Sequence, residues 1–540
     1  MFTSPMKETQ QGEVVLPDIS PPIIQAVLNY IYTGVASIEP DTVDELFTVS
    51  SRLQIIPLQD LCSSYLIKKL NNENCIWIYK LSYCHNHKTL LKATLKYIGY
   101  HITSLCEKNS FLPLDLGEIT NILSSDCLMT VSELTVYQLA YCWWQFHRAN
   151  HSVFPKELLG AIRFSLMSTS ELEEVEKGNV VDASFQRHPQ SFQLRQGMFE
   201  TRIVCMDLLE REDPSLTDRD FYLDAYDPEL EIWEKLPPLK SLMCPGIVAL
   251  GSYMYVAGGI HKDDSVSNTL HVYDSVKNSW NELCGMFGPK CMHGFVAYNQ
   301  KLYALGGWDG RIVRDSVECF IIQENCWSQV SRMPTPLCYF ASTQLNGKLY
   351  LIGGGTTVDI SASPHLGILI FSPSSDTWCQ IPLKTMCSTA GVIRLDNKLY
   401  VIGGHIGYDR VTQSCKATAK CFCLDSLGHV CPESKIPALP KCVASAGVVL
   451  WNRRIYVLGG EDRDIFYKQV YYWEPGATKW TVCRTSLPIL SDGVSAFGCV
   501  TLKIPMKQFH SLIPHRRTIT VPISSQISSG SSDRISNRCS

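Results

Sequence analysis

A glycine pair behind an aromatic residue returns five times in the second half of this chain, and such self-similarity constrains a fold more than local propensity does. The signature, aromatic then two residues then Gly-Gly, stands at Tyr255–Gly259, Tyr303–Gly307, Tyr350–Gly354, Tyr400–Gly404 and Tyr456–Gly460. The first glycines, Gly258, Gly306, Gly353, Gly403 and Gly459, are 48, 47, 50 and 56 residues apart. A period of about 50 residues marks a repeat architecture.

A second half-motif accompanies the first, an aromatic residue with a tryptophan seven positions on: Tyr226/Trp233, Tyr273/Trp280, Phe320/Trp327, Phe371/Trp378 and Trp473/Trp480. Turn formers such as Asp227-Pro228, Lys277-Asn278 and Glu474-Pro475-Gly476 separate the two aromatics, so they belong to successive strands of a hairpin and their bulk seals neighbouring units together. One repeat is degenerate, with Cys423 and Val430 aligned to the aromatic and the tryptophan. Six half-motifs imply six units. The glycine pairs suit strand ends where the backbone takes positive φ or approaches a neighbour closely.

The first 180 or so residues follow a helical period instead. Ser20-Pro21 is an N-cap with proline at the first helical position, and Ile23, Ile24, Val27, Leu28, Ile31 and Tyr32 form an apolar stripe that stops at Gly34. A second helix starts at Thr42 with Glu45 three residues on, which predicts a capping box. Further stripes run through Leu58, Leu61, Cys62, Tyr65 and Leu66, and through Leu81, Leu90, Leu91, Leu95 and Ile98.

At 540 residues the chain exceeds what one core supports, so two or more domains are expected. Hydrophobic residues at 45% and charged residues at 19% are the balance of a folding chain. A net charge of -4 gives no electrostatic ground for nucleic-acid binding. The start lacks an apolar signal segment and no stretch approaches a membrane span, which points to a cytoplasmic, intracellular protein with no membrane partner. In that compartment the 23 cysteines are expected as thiols, not disulfides. Cys421, Cys423, His429 and Cys431, and Cys84, His85 and His87, lack standard metal-site spacing and read as packing residues. No nucleophile elbow, phosphate loop or zinc-protease motif is present, so no metal, cofactor or catalytic residue is expected.

The glycine pairs and spaced aromatics resemble kelch repeats. Leu28-Asn-Tyr-Ile-Tyr32-Thr-Gly34, Glu45-Leu-Phe47, Leu53-Gln-Ile55 and Cys62 resemble the second half of a BTB domain, and Asn74-Cys75, Tyr97-Ile98, Phe111-Leu112, Leu123-Ser-Ser-Asp126 and Ser132-Glu133 resemble a BACK domain. The chain is thus identified as similar to the BTB-BACK-Kelch family, with a BTB domain that lacks its N-terminal half. The resemblance implies a multidomain fold: an α-helical BTB remnant over 1–70 and BACK domain over 71–180, a linker over 181–200, and an all-β six-bladed Kelch propeller over 201–506. A C-terminal strand would complete the first blade, and 507–540 would be a disordered tail. Without its usual cover, the Ile23/Val27/Ile31 face is expected to be exposed.

The family further implies a substrate adaptor of a cullin-three RING ubiquitin ligase, with the propeller holding an unidentified client and the BTB/BACK half holding the cullin. The ligase, not this chain, would perform ubiquitin transfer. The alternatives are a scaffold without ligase, for example an actin or cytoskeleton binder, and a shortened form unable to recruit cullin. Homodimerisation belongs to the family's full-length BTB domain, whose dimerising elements would precede Met1. Met6 and Glu8 match the family's hydrophobic-x-Glu cullin contact by position, or are a solvated terminus. Client-binding candidates on the loops after the glycine pairs are Trp308, Arg311, Arg314, Tyr408, Arg410 and Arg463, with arginine for acidic partners and aromatics as apolar anchors.

Overall fold

The computed structural model describes residues 16, 18–177, 193–206, 221–239, 242–359, 365–383, 388–409, 414–431, 436–463, 465–489, 494 and 498–513. They fall into two compact units, residues up to Phe199 with Pro505–Leu512, and the chain from Glu200 to Ile504.

The first unit is helical: α1 (Pro21–Thr33), α2 (Val43–Arg52), α3 (Ile56–Lys68), α4 (Cys75–Cys84), α5 (Lys88–Tyr100), α6 (Ile102–Glu107), α7 (Leu116–Ser124), α8 (Glu133–Phe146), α9 (Lys156–Ala161) and α10 (Thr169–Lys177). Pro21 opens α1 and Gly34, at φ 71°, closes it by donating to the Tyr30 carbonyl over 2.8 Å. The expected capping box at Thr42 does not form. Glu45 instead accepts from the Ser20 amide at 2.8 Å and the Ser20 hydroxyl at 2.9 Å, because the start of α1 lies within its reach. A capping box does form at Asp115 and Glu118, ahead of α7. The stripe from Leu81 to Ile98 is two helices, broken at His85–His87, where the His87 ring accepts from the Leu90 amide as the cap of α5.

Two apolar clusters fill this unit. Ile23 and Val27 pack with Leu46, Phe47, Leu58, Cys62, Leu66, Ile78 and Leu90. Tyr79, Ile98, Phe111, Ile119, Leu123, Val136 and Trp143 form the second. The expectation of an uncovered Ile23/Val27/Ile31 face is therefore corrected: Ile23 and Val27 are 2% and 4% exposed, covered by α2 and α3, while Ile31 stays open with Leu28, Tyr32 and Val35. Lys507–Leu512, assigned above to the tail, is a 3-10 turn with Phe509 buried, since its apolar residues find cover; 514–540 lie outside the described residues.

The second unit is a six-bladed β-propeller of antiparallel sheets. Blades 2, 3, 4 and 6 are four-stranded and contiguous in sequence, starting at Gly246, Gly294, Ala341 and Gly447. Each glycine pair ends a blade's second strand. At Gly403, φ is 60° and a Cβ would collide with the Val443 carbonyl oxygen of the loop into blade 6, so a side chain is excluded there twice over. Blade 1 draws on both ends of the unit: the last strand, Gly498–Pro505, lies beside Phe199–Met206, followed by Phe221–Asp227 and Ile232–Leu239. Inner hairpins turn on positive-φ pairs such as Asn299-Gln300, Asp396-Asn397 and Asn452-Arg453, whose twist matches that of the strands.

Blade 5 is the degenerate one, with three named strands. Its register corrects the alignment. Leu424, not Cys423, faces Leu399 as Tyr273 faces Met254, and Val430 bridges Leu424. The Asp425–His429 turn is one residue shorter than its counterparts, which moves the half-motif by one place.

The aromatics do seal blade to blade. Tyr273, Phe320, Phe371 and Trp473 each pack in the cluster shared with the preceding blade, and Tyr226 packs in the cluster shared by blades 6 and 1. Leu424 does the same between blades 4 and 5. Six such clusters run round without a break, which is what closes the ring. The tryptophans add a hydrogen bond that bulk alone does not suggest. Trp280, Trp327, Trp378 and Trp480 donate their indole N–H to the carbonyls of Pro237, Cys284, Ser331 and Pro437 in the preceding blade, at 3.0, 2.7, 2.9 and 2.9 Å. Trp233 reaches Ser486 across the seam at 2.8 Å.

Candidate functional site

Antiparallel winding sends every loop after a glycine pair, and every loop leading into the next blade, to one face. The residue after each glycine pair is pinned there. Ile260, Trp308, Gly355, His405 and Glu461 bridge Met243, Cys291, Cys338, Ser388 and Ala444 respectively. One residue further along each of the latter, Cys244, Met292, Tyr339, Thr389 and Ser445 share φ of 50° to 56°, a region that β-branched and bulky residues rarely adopt. Their backbones link head to tail: Met292 N–H to Cys244 O (3.1 Å), Tyr339 to Met292 (3.1 Å), Thr389 to Tyr339 (2.9 Å) and Ser445 to Thr389 (3.0 Å). A belt of amides thus circles the mouth of the ring through blades 2 to 6, lined by uncharged, partly buried side chains. Sequence reasoning missed this belt, whose only sequence signal is its fixed place two residues ahead of each inner strand.

Outside the belt stand charged and apolar loop residues. In blade 3, Asp309 accepts from the amides of Arg311 and Ile312, each at 2.8 Å, and from Arg314 Nε at 2.7 Å. Burial alone would raise the Asp309 carboxyl, but these donors hold it below the usual carboxylate range. Arg314 is therefore partly occupied within its own loop, while Arg311 points its side chain to solvent beside Ile312, which is 54% exposed. Trp308 is half-buried, bridged on both sides by Cys291 and Val313. Beneath this loop Lys290, buried, pairs with Glu318 at 3.2 Å and with the Ser316 hydroxyl at 2.6 Å. Glu318 in turn accepts from the Phe287 amide at 2.8 Å, so the platform is internally satisfied.

In blades 5 and 6 the loops lengthen into ribbons, His405–Asp409 with Ser414–Ala417, and Glu461–Asp462 with Ile465–Phe466. The ribbons join where Ala417 N–H meets the Asp462 carboxylate at 3.0 Å and Arg463 N–H meets Cys415 O at 3.3 Å. Tyr408 pairs with Cys415, so Tyr408 and Arg463 flank one strand. His405 hydrogen-bonds the Thr389 hydroxyl at 2.9 Å, and burial lowers its pKa against the opposing pull of Glu461 and Asp462. The candidates thus form two groups: Trp308, Arg311 and Arg314 on blade 3, and Tyr408 with Arg463 across blades 5 and 6. Exposed Met243, Ile312, Val358 and Ile465 also stand on these loops, and sequence reasoning passed over them. Arg410, Met6 and Glu8 lie outside the described residues.

No group of metal-ligating side chains occurs among the described residues. Cys421 and Cys423 are buried in the core between blades 5 and 6, whereas His429 is largely exposed. No described helix is long and apolar enough to cross a membrane.

Comparison with known proteins adds the following. Residues 1–70 match the BTB/POZ domain model, 75–177 the BACK model (BTB And C-terminal Kelch), and 211–393 the KLHDC2/KLHL20/DRC7 Kelch-repeats domain model. Kelch-like protein 24 of Rattus norvegicus is 28% identical over 533 residues, 93% of this chain and 83% of that one. Kelch-like protein 31 of Danio rerio is 26% identical over 342 residues, and Kelch-like protein 28 of Homo sapiens 27% over 335; each match covers 58% of this chain. These two matches span 53% and 59% of the relatives' own lengths, little more than half.

Proposed function

Because this chain belongs to the BTB-BACK-Kelch, or kelch-like, family, we propose that it is a non-catalytic adaptor that presents a client protein to a cullin-three RING ubiquitin ligase. The client would sit on the loop face of the propeller. The observation that carries this reading is the composition of that face: an uncharged belt at the mouth, ringed by exposed Ile312, Ile465 and Met243 and by Arg311, Arg314 and Arg463. An uncharged centre surrounded by exposed apolar side chains and arginines has the residue types in which protein-recognition patches are enriched. In this reading the chain contributes proximity, holding the client near the charged donor while the recruited ligase forms the bond. The helical unit would hold the cullin, with Met6 and Glu8 as its contact and an intracellular, cytoplasmic setting.

Affinity capture with the full chain tests this. Cullin-three is expected in the wild-type capture and absent after Met6→Asp with Glu8→Ala, while client retention persists. Client retained by a wild-type chain that never holds cullin would replace the ligase reading with that of a scaffold, such as a cytoskeletal binder. Trp308→Ala with Tyr408→Ala and Arg463→Glu is expected to release the client and keep the cullin.

A further inference from the structure

Cys205 and Cys499 meet at the seam of the propeller, with their sulfurs 3.6 Å apart. Cys205 lies on Phe199–Met206 and Cys499 on Gly498–Pro505, hydrogen-bonded neighbours in blade 1 although 294 residues separate them in sequence. Both pack in the cluster that joins blade 6 to blade 1. Adjacent antiparallel strands hold opposed Cα atoms about 4.5 to 5.5 Å apart, inside the span that a disulfide bridges, and a bond of about 2 Å needs each sulfur to move by less than about 1 Å. The other described blades are each continuous in sequence, so this pairing is where the ring is held shut without a covalent link.

We infer that Cys205 and Cys499 are a disulfide-forming pair, a latch that locks the propeller ring covalently when hydrogen peroxide is present. Cys205 is fully buried and Cys499 partly exposed, which sets the order of events. The Cys499 sulfur attacks peroxide, the O–O bond breaks, and a sulfenic acid and one water form. The Cys205 sulfur then attacks the Cys499 sulfur, the S–O bond breaks, the S–S bond forms and a second water leaves. Two thiols are oxidised by two electrons and one peroxide is reduced to two waters. Burial and then the Cys499 contact hold the Cys205 thiol well above its ordinary pKa, which leaves the first attack on peroxide to Cys499; in the second step the Cys205 proton leaves with the departing hydroxide as water. In the reduced state the pair is ordinary packing, consistent with thiols in a reducing compartment.

The test is peptide mapping of the full chain under non-reducing conditions, after peroxide treatment in the native state and quenching with a thiol-alkylating reagent in denaturant. The expected product is a Cys205–Cys499 linked peptide that disappears on reduction. The oxidised chain is also expected to gain about 5 °C in propeller unfolding temperature over the reduced chain, a gain that Cys205→Ala abolishes. In Cys205→Ala, peroxide should leave a Cys499 sulfenic acid that a dimedone probe traps, whereas the wild-type chain shows none. Recovery of both cysteines as alkylated thiols, or of Cys499 linked to Cys483 in the same cluster, would overturn the assignment. Should Cys205→Ala fail to fold, the wild-type map decides alone.

Discussion

Arg195 is fully buried, and every one of its five polar hydrogens has an acceptor: both Glu133 oxygens, and the carbonyls of Leu123, Ser125 and Ala161. Arg163 beside it binds Asp126 and the Gln193 carbonyl. Removing one partner of such a pair strands a buried charge, so Arg195→Met should destabilise the helical unit by about 3 to 5 kcal/mol, and adding Glu133→Leu should recover most of that loss. Chemical denaturation of the three proteins checks both expectations; equal stability would show that the pair holds nothing. Asp224 is the converse case, a carboxyl that burial pushes up to about 6 against the pull of Lys235. Raised above its unfolded value near 3.9, it adds stability below about pH 4 that is lost as pH rises through 6. Asp224→Asn should therefore gain about 2 kcal/mol on the wild-type chain between pH 4.5 and pH 7.5, read from unfolding midpoints across that range. A gain that does not grow with pH would contradict it. Sequence placed Asp126 and Glu133 in a family pattern without their partners, because Arg163 and Arg195 arrive from 30 residues or more along the chain.

At the scale of elements, the hairpin of aromatic and tryptophan was legible because both residues face each other across one turn, as Tyr226 and Trp233 or Phe371 and Trp378 do. The blade 5 register was not, since with no aromatic to mark it the shortened turn is invisible in sequence. Nor was the role of the tryptophan N–H, whose acceptor lies in another blade. Trp233→Phe keeps an aromatic side chain, though a smaller one, and removes the bond to Ser486, so it should cost about 1 to 2 kcal/mol and speed amide exchange in Phe199–Met206 before other blades. Exchange that rises evenly over all six blades would deny the seam its particular weakness. The same bond is absent by chemistry in blade 5, where Val430 replaces the donor.

Over the whole molecule, one half is ordered by helical packing and the other by a ring that must close on itself. Repeat length, glycine pairs and six half-motifs were enough to reach the blade number, because that depends on periodic chemistry that recurs in every blade; closure by the C-terminal strand came from the resemblance to kelch repeats, since that strand carries no half-motif of its own. The binding face was legible only as a face: Trp308 and Tyr408 were found by residue type, but the belt from Cys244 to Ser445 and the exposed Ile312 and Ile465 depend on where loops converge. Ending the chain before Gly498 should leave blade 1 without its inner strand and turn the propeller protease-sensitive, as limited trypsin digestion would read. A truncated chain as resistant as the wild type would mean that the ring does not need its closing strand. The most direct measurement for the account as a whole is hydrogen–deuterium exchange on the full chain with and without the client recovered by capture. Protection is predicted at 308–314, 405–409 and 461–466 and at the belt residues between Met292 and Ser445. Protection confined to the turns on the opposite face, such as 274–278 and 372–376, or to the helical unit, would contradict the claim that the loop face is where this protein recognises another.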